Sequence, residues 1–151
     1  MNFTKYSMII ILLLSTTLFS RSMEFNSCKT YVKVEKNLEK GEEFGLLAME
    51  KEPDNSYIPY YIGRFIYRPQ KRINEAGEMF LKALELEDTK LERSFRIGSG
   101  KNQVFIKTVH DAISLYGTDW FTYGVEAEQN GENIKAIDFL ETASILSCFK
   151  K

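Results

Sequence analysis

The stretch from residue 58 to residue 86, IPYYIGRFIYRPQKRINEAGEMFLKALEL, constrains the fold more than any other part of the chain. Ile58, Tyr61, Ile62, Phe65 and Ile66 recur at helical spacing, so one apolar stripe runs along a first helix. Ser56 stands where a hydroxyl can cap the start of that helix. Pro59 falls in its first turn, where a missing N–H leaves no bond unmade. Pro69 cannot continue the helix and pushes Arg68 away from helical geometry. A second helix follows, with Ala76, Phe80, Ala83 and Leu84 on one face and Met79 and Leu86 beside it. Small residues there admit a neighbouring helix at close range, and large ones fill the space between. Two amphipathic helices joined by a short turn must bury their stripes against each other and against further helices.

The run Ile62-Gly63, Tyr67, Ala76, Phe80, Ala83, closing on Leu84-Glu85-Leu86-Glu87-Asp88, resembles a tetratricopeptide repeat. Three other segments look like variations on it. Residues 31–51 carry Tyr31, Val34 and Leu38, then Phe44, Leu47 and Ala48, with Gly41 expected to break the segment into two helices. Residues 91–97 are expected to form a short first helix, 98–102 a turn, and 103–116 a second helix that Gly117 ends as a C-cap. In the last segment Thr118 is expected to cap a helix holding Trp120, Tyr123, Gly124 and Ala127. Asn130-Gly131 makes its turn, and Ala136, Leu140 and Ala143 follow. Gly124 and Ala136 are twelve residues apart, the gap that the resemblance implies, whereas Gly63 and Ala76 are thirteen apart. The closing-helix alanines Ala48, Ala83, Ala112 and Ala143 lie 35, 29 and 31 residues apart, near the family period of about 34. The expected fold is therefore all-α: about four antiparallel helix pairs over residues 23–151, a TPR-like solenoid, with an irregular helical bundle as the alternative.

Residues 1–22 read as an export signal. Lys5 supplies the positive start, residues 8–14 are an unbroken apolar run, and Ser20 and Ser22 offer small residues ahead of a cleavage before Met23. The apolar core is shorter than a bilayer span. An uncleaved anchor is the alternative, and lipidation of Cys28 is a further one with a poor sequence match. Membrane association is expected only in those two cases. The expected location is periplasmic, envelope-associated or secreted. Cys28 and Cys148 flank opposite ends of the array and are expected to stay unbridged.

Of 20 basic and 21 acidic residues, Lys5 and Arg21 fall within residues 1–22 and no acid does, leaving 18 bases and 21 acids. That balance offers no basic footprint for nucleic acid. The string Gly98-Ser99-Gly100-Lys101 is not a phosphate loop, since such a loop needs Gly where Phe95 stands and Ser or Thr where Asn102 stands. His110 is the single histidine and no metal-ligand pair of motifs is present, so no catalytic residue, metal or cofactor is assigned.

In proteins resembling this family the first helices of successive repeats line a concave groove. Tyr57, Tyr60, Arg64, Tyr67 and Arg68 share one side of the first helix, and by the same alignment the last repeat offers Phe121, Val125, Glu128 and Gln129. Tyr and Arg are the residue types that most often carry binding energy. These nine residues are the expected partner-binding surface of an exported scaffold that holds a protein or peptide. The other readings are an enzyme on a helical scaffold, such as a cell-wall hydrolase, and a structural subunit of an envelope complex.

Overall fold

The computed structural model describes residues 22–99 and 103–148. Helix α1 (Met23–Thr30) runs directly into a wider π turn, Tyr31–Glu35, and α2 (Leu38–Lys51) packs back on it. Helix α3 (Tyr57–Ile62) likewise runs into a π turn, Gly63–Tyr67, and pairs with α4 (Ile73–Glu85). Strands β1 (Lys90–Ile97) and β2 (Val104–Thr108) form an antiparallel hairpin. A short α5 (Val109–Ser114) leads to the last pair, α6 (Gly117–Gln129) and α7 (Asn133–Cys148). The described residues are thus mostly helical, as expected, and the helix pair read from residues 58–86 is present.

The third pair is not. Residues 91–97 and 104–108 are strands, so the helical reading of 91–97 is overturned and that of 103–116 holds only over residues 109–114. Phe105, Ile106 and Val109 fit a helical spacing, but Val104, Ile106 and Thr108 are also β-branched residues at period two, and short runs satisfy both templates. The helix starts only at Thr108, whose hydroxyl accepts from the Asp111 N–H at 3.3 Å. Gly98, at φ +84°, turns the chain out of β1.

Three expected boundaries also move. Gly41 does not break the first pair; the break is at Lys36, at φ +56°, with the Asn37 side chain capping α2. Gly41 instead lies in the first turn of α2, where a Cβ would sit 2.5 Å from Val32 Cγ2. Gly117 opens α6 rather than ending α5, and its missing side chain makes room for Ser147; Thr118 is inside the first turn, not at the cap. Ser56 makes no cap bond. Its buried hydroxyl donates to Thr89 Oγ1 (2.9 Å) and accepts from the Thr89 N–H (3.2 Å), fixing the entry of α3 to the segment ahead of β1. The Asn130-Gly131 turn is as expected: Glu132 N–H donates to Ala127 O and Gly131 N–H to Glu128 O, with Gly131 at φ +76°.

Rings tie the pairs into one core. Phe25 of α1 meets Tyr57 and Tyr61 edge-on, Tyr60 meets Phe80, and Phe80 stacks on Tyr116 at 4.8 Å and touches Trp120. Trp120 continues to Tyr123 and Tyr123 to Phe139 of α7. Ala83 and Ala143 are both buried, as the close helix approach requires.

The turn from α3 to α4 ends in the same two bonds seen after α6. Arg72 N–H donates to Tyr67 O and Lys71 N–H to Arg68 O, but an exposed lysine holds the left-handed position at φ +59°. A side chain with a Cβ is disfavoured there. Lys71→Gly is therefore expected to raise stability by about 0.5–1 kcal/mol, read as an upward shift of the melting temperature. An unchanged or lowered melt would contradict it.

Residues 1–21 of the expected export segment lie outside the described residues. Ser22 is described, and its hydroxyl caps α1 by accepting from the Phe25 N–H at 3.3 Å. Among the described residues no helix is long and apolar enough to cross a membrane. Cys28 and Cys148 are both free thiols, the first buried and the second exposed.

Candidate functional site

The segment from Tyr57 to Tyr67 holds four tyrosines, three isoleucines and a phenylalanine among eleven residues, too much apolar surface for a helix with one solvated side. It is accordingly enclosed. Tyr57, Tyr60 and Tyr67 are 7%, 1% and 4% exposed, so the open tyrosine stripe expected there is not found. Phe25 of α1 packs on Tyr57, Phe80 of α4 on Tyr60, and Glu42 of α2 with Arg72 on Tyr67.

Two of the five residues expected at the binding surface are engaged inside the fold. Tyr67 donates its hydroxyl to Glu42 Oε1 at 2.9 Å, and Arg72 binds the other oxygen of that carboxylate at 2.6 Å while stacking on the Tyr67 ring. Burial, then the Glu42 hydrogen bond, push the Tyr67 phenol up to about 12. Arg68 pairs with Asp119 at 2.6 Å and lies 4.4 Å over the Tyr116 ring, joining α3 to α6.

Arg64 is different. It sits in the π turn after α3, half-buried, with its guanidinium near the rings of Phe65 (5.0 Å), Phe95 (5.4 Å) and Tyr60 (5.7 Å). It donates one hydrogen bond to the Tyr60 hydroxyl oxygen. Burial pushes the Tyr60 phenol up to about 12, so that oxygen stays a neutral acceptor in ordinary conditions. Among the described residues Arg64 has no carboxylate partner. A guanidinium has five N–H groups and matches a carboxylate in two parallel bonds, and here one of the five is used.

Arg64 borders a hollow of about 610 Å³ between the helix ends and β1. Tyr57, Tyr60 and Phe65 line it from α3 and its π turn, Lys33 from the π turn after α1, and residues 91–95 from the strand. Lys33 and Arg93 are exposed and, like Arg64, make no ion pair among the described residues. Glu92, also on the wall, is held by Lys29 at 2.8 Å. The hollow is therefore aromatic with an excess of positive charge, on a chain whose formal charge is −1. That is the chemistry of a site for a carboxylate-bearing ligand.

Lys33, Phe65, Arg93 and Phe95 were not anticipated. Lys33 and Arg64 each lie in a π turn that ends the first helix of a pair, and such turns occur often at functional sites. No composition rule marks a π turn, so only the coordinates align the two cations. A helical reading of residues 91–97 leaves Arg93 and Phe95 off this wall; the strand puts them on it.

The four residues expected on the last pair lie elsewhere. Phe121 is 57% exposed and borders a separate hollow with Gly117, Thr118, Leu140, Ala143, Ser144 and Ser147. Val125 is half-buried, and Glu128 and Gln129 are exposed; none of the four lines the hollow at Arg64.

His110 serves the fold: its backbone N–H donates to Asp88 and its ring Nε2 lies 3.2 Å from Ala83 O. Among the described residues no group of three or more His, Cys, Asp or Glu side chains is arranged to hold a metal ion. Searched against protein-family models and against curated proteins, the chain matches none.

Proposed function

We propose that this chain is an exported, TPR-like scaffold that holds a protein or peptide partner, and that the hollow at Arg64 is where it does so. The observation that carries the reading is Arg64 itself: a half-buried guanidinium framed by three rings, with no carboxylate partner among the described residues, beside two further cations, Lys33 and Arg93, that make no ion pair among those residues. Keeping such a group partly desolvated has a cost that a bound carboxylate offsets.

The repeat reading draws support from two equivalent contacts. A Cβ on Gly63 would meet the Phe80 ring at 2.8 Å and Ala76 O at 3.1 Å; one on Gly124 would meet Leu140 at 2.7 Å and Ala136 O at 3.4 Å. The second and last pairs thus close around the same Gly–Ala–large residue arrangement. The hairpin takes the place of a third pair, and the groove is partly filled by it.

Arg64→Ala is expected to weaken partner capture from the cell envelope by about 2 kcal/mol, roughly thirtyfold. The comparison is titrated capture with the purified mature protein, after circular dichroism shows that the variant remains helical. Equal capture by Arg64→Ala would remove this hollow as the working surface.

One observation favours the structural-subunit reading as second choice. Ile134, Ile137 and Ile145 of α7 are 78%, 56% and 43% exposed on its outer side, where a terminal repeat ordinarily turns a polar face to water.

A further inference from the structure

The ladder between the two strands skips a stretch. Lys90 is opposite Thr108 and Phe95 is opposite Ile106. Residues 91–94 therefore have only Lys107 across from them and stand outside the pairing register. The same four residues, with Phe95, form one wall of the hollow at Arg64. Successive side chains on a strand point to opposite faces. Five consecutive residues line one hollow when the strand turns its edge toward it, and an edge is a row of main-chain N–H and C=O groups. Arg64 and Lys33 line the same hollow, with Arg93 on the strand itself.

We propose that the hollow takes an extended, acidic segment of a partner protein, added as a short strand along residues 91–94 and anchored by a carboxylate on Arg64. This rests on the binding-scaffold reading above and specifies its ligand. Main-chain hydrogen bonds to the bulge supply affinity without regard to sequence, and alternate side chains of the segment meet the hollow. An acidic side chain facing inward reaches Arg64, with Lys33 and Arg93 adding to the positive field. Four bulge residues at about 3.3 Å each span roughly 13 Å, and a hollow of about 610 Å³ falls within the range of ligand sites. The N-terminal residues 1–21 of the chain itself contain no Asp or Glu, so that segment does not match the charge of the site.

The probe is an array of capped hexapeptides, each with one Glu among β-forming residues, screened with the mature protein. The best binder is then remade twice: with Gln for Glu, and with backbone N-methyl groups at alternate residues, in both phases. We expect the Gln peptide and one N-methyl phase to lose at least tenfold in affinity, and amide exchange at residues 92–94 to slow when the parent peptide binds. If the Glu dependence holds but neither N-methyl phase loses affinity and exchange is unaltered, strand addition is overturned while the carboxylate site stands. If no array member binds, or if a folded Arg64→Gln, Arg93→Gln double variant binds the best peptide as well as the wild type does, both the strand and the hollow are overturned.

Discussion

Taken from pH 9 to pH 12, the protein is expected to unfold cooperatively, with most of its stability gone before pH 12. The cause is a set of buried acids that the fold keeps protonated. Burial pushes the Cys28 thiol from about 9 up to about 12, and the Tyr60 and Tyr67 phenols from about 10 up to about 12. Burial raises Tyr61 as well, and its hydroxyl has no hydrogen-bond partner among the described residues. Each group has a higher pKa folded than unfolded. Its contribution is therefore fully present below the unfolded pKa and is lost as pH rises through the folded one. In that window the unfolded chain has released protons that the native state still binds, so stability falls with pH. A hundredfold difference in acidity is about 2.7 kcal/mol, and three or four such groups together approach the roughly 5–15 kcal/mol that holds a domain. Denaturant unfolding at several pH values, with tyrosinate absorbance followed in parallel, measures the effect. The expected slope near pH 11 is three to four protons. Constant stability from pH 9 to pH 11 would show that these side chains reach water in the native state.

The second large effect is expected at Gly63. In an open helix, Gly→Ala gains about 1 kcal/mol. Here the added carbon would meet Phe80 Cε1 at 2.8 Å and the backbone oxygen of Ala76 at 3.1 Å. Neither can yield readily: the Phe80 ring is held by Tyr60, Tyr116 and Trp120, and the oxygen belongs to the α4 backbone. Gly63→Ala should therefore lower stability by about 1–3 kcal/mol, reversing the sign of the propensity. A double-mutant cycle isolates the cause. In a Phe80→Ala background the loss from Gly63→Ala should shrink by about half or more, because the ring is gone and only the backbone contact remains. A full loss in that background would place the strain elsewhere.

The sequence by itself determined the helix pair of residues 58–86 and the last pair. In residues 58–86 the 3.6-residue stripe, the stop near Pro69 and the small residues of α4 all agree, and local agreement of that kind leaves few alternatives; Arg68, expected to be pushed out of helical geometry, keeps it at φ −59° and ψ −45°. The closing turn after α6 was legible for the same reason, since Asn130-Gly131 supplies the positive φ that the motif needs. It did not determine residues 90–97 and 104–108, where runs too short to separate period two from period 3.6 pair as antiparallel strands. Whether Tyr57, Tyr60 and Tyr67 meet solvent depends on what lies across from them, and those neighbours come from other elements: Phe25 for Tyr57, Phe80 for Tyr60, Glu42 for Tyr67. Likewise only the tertiary structure decided which cations stay unpaired. Arg64 and Arg68 are four residues apart on one helix side, yet Asp119, arriving from α6, engages Arg68, whereas among the described residues no carboxylate engages Arg64, which borders the hollow. A pattern along one helix fixes which residues share a face; the elements that return from elsewhere in the chain fix what that face meets.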